Sequence, residues 1–277
     1  MNKIYTDIAL ELCESAGEIA GLEVNNKMIA GVKTSLVNIT SPEAAKEIGK
    51  PIGSYATIDI PEEDTSNVSN VISEVLLKLV RKMDSVLVVG LGNKSVVADS
   101  LGPLVADRIE VTRHIEGAHR EISALSPNVL GNTGIETAEI IKAVVHEVKP
   151  DCIFAIDSLA SLSMERVNTT IQLSNTGINP GAGIGNFRKK LTQDNIGCPV
   201  IAIGMPTVAT IATVTNSVLE IVEEKLNEKI LDNKQKLLTE ILENSSLKNI
   251  VVTPKDIDEE IANAADLIAN GINGFLS

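Results

Sequence analysis

Val86-Leu87-Val88-Val89-Gly90-Leu91-Gly92-Asn93, running on through Lys94-Ser95-Val96-Val97-Ala98-Asp99 to Ser100-Leu101-Gly102-Pro103, decides how this 277-residue chain is read. Four apolar residues, three of them β-branched, make a short buried strand, too compact to be one face of a helix. Gly90 and Gly92 break the run, and Asn93 tolerates the turn that follows. Asp99 or Ser100 is placed to cap a new helix, with Pro103 in its first turn, where a missing N–H does no harm. The order is strand, glycine turn, acidic loop, helix. In open α/β sheets, ligands gather at the carboxyl ends of the strands. Asp99 stands where a functional carboxylate belongs.

The pattern returns at Cys152-Ile153-Phe154-Ala155-Ile156, a second buried strand, which Asp157 follows directly before Ser158-Leu159-Ala160-Ser161. The chain between Asp99 and Asp157 has room for a helix, a strand and another helix. If both strands are parallel and central, the two carboxylates meet in one cleft.

Working outward, residues 1–20 carry apolar residues at helical spacing. Asn25-Asn26 is expected to form a tight turn between Leu22-Val24 and Met28-Ala30. Val32–Ile39 and Tyr55–Ile60 alternate as strands, with a short helix between them opened by Ser41-Pro42 and closed by Gly49. Residues 1–65 therefore read as an N-terminal α+β flap or subdomain. Val68–Met83 is an amphipathic helix. After the opening stretch, His114 and His119 fall in a polar connection and Leu125–Asn132 in a loop. Thr133 and Glu136 have capping-box spacing for a helix over Ile135–Val148, ended before Pro150. Strands are expected at Thr169–Leu173, Val200–Ile203 and Ile250–Val252, with helices at about Ile211–Leu231 and Lys234–Leu242. A final helix starts at Thr253-Pro254-Lys255-Asp256. Apolar strands alternating with helices indicate α/β architecture, a twisted, mostly parallel sheet flanked by helices. With no repeat or linker, one domain spans 1–277, with 66–277 as the main sheet and helices.

A net charge of −13, 2% aromatic residues and no Trp exclude a nucleic-acid partner, which needs a basic face and stacking platforms. Cys13, Cys152 and Cys198 are odd in number and widely spaced, as free thiols in a reducing cytosol are. No apolar run approaches the ~18 residues of a membrane helix, and Met1-Asn2-Lys3 leads into no signal-like core. A cytoplasmic protein without a membrane partner is expected.

The dinucleotide fingerprint fails, because Ser95 stands where its third glycine belongs. Gly181-x-Gly183-x-Gly185 reads either as a tight loop or as an anion cradle. The nucleophile elbow G-x-S-x-G is absent, and His114, His119 and His146 lack zinc-protease spacing. Asp99 and Asp157 remain. Their spacing leaves two readings open, helix caps or the acid pair of a hydrolase cleft.

Long ordered stretches resemble the spore germination protease family. They are Thr6–Glu11, Gly90–Asn93 with Asp99–Pro103, Val129–Thr137, Ile156–Ser161, Thr170–Gln172, Asn175–Asn186, Gly204–Val208, Val252–Asp258 and Ile268–Asn273. The resemblance implies a fold similar to the hydrogenase-maturation proteases, with Asp99 and Asp157 as the functional aspartates. It implies a homotetramer made as a zymogen in the spore core. The implied substrates are small acid-soluble spore proteins, cut after an acidic residue and before a hydrophobic one followed by alanine. Within the matching stretches Asn93, Gly181, Gly183 and Thr207 become candidate substrate-binding residues. No cofactor and no metal ligand set is expected.

The chain departs from the family pattern at Val97-Ala98, where Thr-Pro is usual, at Leu162, where an arginine is usual, and at Ala209–Ala212, which replaces Val-Asp-Ala. With five residues before Thr6, a long propeptide is expected to be absent or already removed. Two mechanisms stay open, a water held between the aspartates with one shared proton, or a metal bridging them. Two rival functions stay open as well. A metal-dependent maturation-type protease acting on a partner enzyme would draw a third ligand from His114, His119 or His146. A non-catalytic binding relative would account for Leu162 and for the missing aspartate near Thr210.

Overall fold

The computed structural model describes residues 6–14, 16–80, 83–181, 188–226, 247 and 250–277. Among them, nine strands form one sheet. The first third of the chain supplies helix α1 (Ala9–Glu14), strands β1 (Leu22–Ile29) and β2 (Val32–Ile39), helix α2 (Pro42–Ile48) and strand β3 (Gly53–Asp59). Next come α3 (Val68–Leu79), β4 (Ser85–Gly90), α4 (Leu101–Ala106), β5 (Glu121–Leu125), α5 (Leu130–Thr133) and α6 (Thr137–Val148). The chain continues with β6 (Cys152–Ser161), β7 (Thr170–Ser174), α7 (Gln193–Ile196), β8 (Val200–Thr210), α8 (Ile211–Leu226), β9 (Val251–Val252) and α9 (Ile257–Leu276).

The order across the sheet is β1-β2-β3-β7-β8-β6-β4-β5, with β9 against the far end of β8. Parallel pairing, expected for most of the sheet, is confined to β8-β6-β4-β5, the half that holds both acid-bearing strands. From β1 to β8 every pairing is antiparallel. Parallel neighbours need a long crossover, and the two-residue turn between β1 and β2 provides none.

Asn25 and Asn26 form no turn. Both sit inside β1, opposite Leu36 and Ser35. The hairpin reverses instead at Ala30 (φ 48°) and Gly31 (φ 82°), two successive positive φ angles, as a two-residue turn matched to strand twist requires. The helix expected over residues 1–20 is, among described residues, the six-residue α1. β5, lying between the polar connection at His114 and His119 and the loop expected from Leu125, is a short strand at the end of the parallel half. Thr133 makes no capping box: its hydroxyl serves the Ile135 backbone, and α6 starts at Thr137 with Glu136 as an uncapped first position. The strand at Val200 runs on to Thr210, and the last helix starts at Ile257. The helix expected over Lys234–Leu242 lies outside the described residues.

Strand alternation sorts the core. Val86 and Val88 of β4 and Cys152, Phe154 and Ile156 of β6 face α3, α4 and α9. Leu87, Val89, Ile153 and Ala155 face the other way, onto Ala138 and Ile141 of α6 and Ile196 of α7. Phe154 is fully buried beside Phe275, ring centroids 5.9 Å apart. Burying such a ring contributes about 1.5–3 kcal/mol. A third cluster joins Ile8, Leu10 and Cys13 to Val37, Ile39 and Tyr55 of the antiparallel half, and to Leu159 of β6. All three cysteines are free and buried. No helix among the described residues is long and apolar enough to cross a membrane.

Candidate active site

β4 ends at Gly90, paired with Ile156, and Leu91 N–H donates to the Ile156 carbonyl at 2.8 Å. Asp157, the next residue of β6, continues the face of Ile153 and Ala155, on the side of α6. The chain can turn back onto this point only through glycine. Gly92 has φ 110°, and a Cβ there would lie 2.1 Å from the Asp99 carbonyl oxygen. At Gly102 a Cβ would lie 2.2 Å from the Leu91 carbonyl oxygen and 2.6 Å from that of Ile156. Gly102→Ala must push α4 off the strand ends. A loss of about 1–3 kcal/mol is expected, read from urea unfolding midpoints.

Asp99 closes a 3-10 turn, Val97–Asp99. Its Oδ2 accepts Asn93 N–H at 2.9 Å, while Ser100, the residue before α4, makes no side-chain cap. Asp157 Oδ1 accepts Ser158 N–H at 3.0 Å within a strand that continues to Ser161. Neither carboxylate caps a helix, so the capping reading left open by spacing does not hold in this geometry.

Both aspartates line one cleft of about 410 Å³, together with Asp7, Asn93, Gly181 and Thr207. Asp157 is only 6% exposed. Burial first, then the charges of Asp99 and Asp7, push its carboxyl well above the usual carboxylate range. Burial raises Asp99 as well, against the Asn93 N–H, which favours the ionised form. Carboxyls pushed up in this way favour the protonated form at pH values where exposed acids are ionised. One can then take a proton from water while the other gives one up.

Asn93 holds Asp99 through its backbone, and its Oδ1 accepts Ser95 N–H at 3.0 Å. Thr207 is buried, and its hydroxyl donates to the Ala98 carbonyl at 2.6 Å, pinning the loop that carries Asp99. Gly181 borders the cleft at φ 74°; Gly183 lies outside the described residues. His114, His119 and His146 are exposed, and none is among the cleft's described walls. Among described residues, no three His, Cys, Asp or Glu side chains are grouped as a metal would need.

Sequence reading did not find the residues around Asp7. Asp7 N–H donates to the Ala160 carbonyl at 3.0 Å, and Asp7 Oδ2 accepts Ala160 N–H at 3.0 Å. Lys50 Nζ donates to the carbonyl oxygens of Thr6 (3.2 Å) and Asp7 (2.9 Å). Gln172 Nε2 donates to the same Asp7 oxygen at 2.8 Å, and its Oε1 accepts Ala9 N–H at 2.6 Å. Glu11 anchors the segment from below. Its buried carboxylate accepts from the Thr6 hydroxyl (2.5 Å), the Ser161 hydroxyl (2.5 Å), Leu162 N–H (2.9 Å) and Ser163 N–H (3.1 Å). Arg166 stands 3.5 Å away. At Leu162, where an arginine is usual, the backbone serves Glu11 and Arg166 brings the charge. The Thr6–Glu11, Ile156–Ser161 and Thr170–Gln172 stretches carried a signal in the sequence, through their family resemblance, but nothing in it joined them to one another or to Lys50.

This is an α/β protein with an acidic cleft just past the ends of its central parallel strands. The germination protease family model matches residues 3–236. A germination protease of Caldanaerobacter subterraneus subsp. tengcongensis is 44% identical, covering 98% of this chain and 93% of that protein. One from Clostridium tetani is 40% identical, over 98% and 94%. A third, from Geobacillus sp., is 34% identical, over 100% and 94%. Among solved structures, a [NiFe] hydrogenase maturation protease HycI from Thermococcus kodakarensis matches at TM-score 0.40 and 14% identity, covering 73% of this chain and 98% of that one. The chain belongs to the germination protease family. It is an endopeptidase of spore germination, a hydrolase that acts on peptide bonds of a protein substrate.

Proposed function

We propose that Asp99 and Asp157 are the proteolytic pair, and that the enzyme degrades small acid-soluble spore proteins in the spore core, cutting after an acidic residue. The observation that carries this reading is the buried Asp157 carboxyl, held up in pKa and facing the same cleft as Asp99. One carboxylate takes a proton from water as the water adds to the peptide carbonyl; the other, protonated, delivers one to the leaving amine. Asn93 and Thr207 fix the Asp99 loop, and Gly181 edges the groove that the substrate backbone follows.

The N-terminal segment supports the zymogen part of the reading. Asp7-Ile8-Ala9 is an acidic, hydrophobic, alanine sequence, and Asp7 borders the cleft. The test is digestion of purified small acid-soluble spore proteins followed by sequencing of the fragments. New amino termini that follow Asp or Glu are expected; fragments without that pattern overturn the specificity, and intact protein overturns the function. A homotetramer is also proposed. Light scattering at micromolar concentration should give four times the chain mass of 29.4 kDa, and a single-chain mass rejects it.

A further inference from the structure

We infer that Lys50 and Gln172 form the oxyanion hole of the peptide-cleaving reaction. They receive the carbonyl oxygen of the residue after which the substrate is cut. This inference rests on the reading of Asp99 and Asp157 as the proteolytic pair and adds to it the groups that stabilise the charge they generate.

The chain's own segment Thr6–Ala9 marks the place. It is tied to β6 just beyond Asp157, where the Asp7 N–H donates to the Ala160 carbonyl and the Asp7 carboxylate accepts the Ala160 N–H. Asp7 borders two cavities at once. One is the cleft with the two aspartates; the other, of about 280 Å³, is lined by Lys50, Gln172 and Tyr55. The Asp7 carbonyl oxygen is turned to the second side, where an ammonium at 2.9 Å and an amide N–H at 2.8 Å both point at it. The acids and the donors thus line two cavities that meet at Asp7.

Two features are more than tethering needs. A neutral carbonyl is satisfied by one neutral donor, yet here a half-buried lysine shared with the Thr6 carbonyl is spent on it as well, and its partial burial works against its charged form. Such a donor gains most when the oxygen carries negative charge, as it does when a carbonyl becomes tetrahedral. Gln172 in turn grips the backbone on both sides of the Asp7–Ile8 bond, through the Asp7 carbonyl and the Ala9 N–H. It sits in β7 between Thr57 and Gly204, so the grip is rigid.

A substrate laid in this place follows a balanced course. The water oxygen bonds to the carbonyl carbon, and the C=O π pair moves onto the oxygen between Lys50 and Gln172. The water's proton goes to the ionised aspartate. The pair on oxygen then re-forms C=O as the C–N bond breaks, and the protonated aspartate supplies the proton that the amine takes up. Products are a carboxyl and an amine, and the pair again holds one proton.

The experiment measures kcat and KM of the full chain on a small acid-soluble spore protein, for the wild type and for Lys50→Met, Gln172→Glu and Asp99→Asn. Loss of one oxyanion donor should lower kcat by about 10²–10³-fold. KM should hold or fall, because the tether on Thr6–Ala9 is loosened. Lys50→Arg should regain part of kcat. If the two residues only hold the N-terminal segment, freeing it leaves kcat unchanged or raises it, and the inference is overturned while Asp99→Asn stays inactive. An inactive wild type removes the underlying reading, and this inference with it. Should Lys50→Met melt below the assay temperature, Gln172→Glu, which has the same shape as the native side chain, decides alone.

Discussion

Asp157→Asn is expected to yield a folded protein that cuts its substrate roughly 10²–10⁴-fold more slowly, and Asp99→Asn the same. The amide keeps the size of the carboxyl and can still accept Ser158 N–H, but it cannot exchange a proton. The activity of the native pair should fall on both sides of a pH optimum, since the pair works with one proton. Stability should move the opposite way to activity. The Asp157 carboxyl is raised in the folded chain by burial and by Asp99, so the folded state holds the proton more tightly than the unfolded one. The wild type therefore loses stability as pH rises from the ordinary carboxylate range, about 4, through the folded pKa, and is at no disadvantage below it. Asp157→Asn removes that loss and should melt higher than wild type at neutral pH. Melting curves from pH 4 to 8, beside digestion assays, check both halves. Two folded variants with near-native turnover would sink the assignment.

Glu11→Ala should cost about 3–5 kcal/mol, the scale for removing one partner from a buried charged network. The carboxylate is the acceptor for Leu162 N–H, Ser163 N–H and two hydroxyls. With it gone, those N–H groups lose a charged acceptor in a buried place. Arg166 keeps a partner, because its Nη2 also meets Glu14 at 2.6 Å. The loss therefore falls on the junction between α1 and β6. Urea unfolding of Glu11→Ala and Glu11→Gln measures it, with the amide expected in between. A change under 1 kcal/mol for Glu11→Ala would show that the network is dispensable.

The central strands and their acids were legible because the signal is local. A run of four β-branched or leucine residues, a glycine break and an acid are all within a few positions of each other. The antiparallel half was less so. Its hairpin turned on backbone conformation at Ala30-Gly31, while Asn25-Asn26, the better turn pair by composition, was overruled by pairing with β2. Gly92 and Gly102 could be read as punctuation, but not as points where backbones nearly touch. Lys50 left no local trace, and Gln172 stood only as the end of a matching stretch with no role attached. Each meets Asp7 across a long span of chain, and such contacts follow from which strands become neighbours.

The strand order also sets a timetable for synthesis. β3 is joined to the rest of the sheet through β7, with Tyr55 opposite Ser174. At about 5–20 residues per second, the first three strands wait roughly 6 to 24 s on the ribosome before that partner emerges. Phe154 of β6 waits longer still for part of its cover, since Phe275 of α9 comes last. Asp7, Asp157 and Val251 all border one cleft, so its walls come from nearly both ends of the chain. A nascent chain stalled before α9 should be readily digested by an added protease.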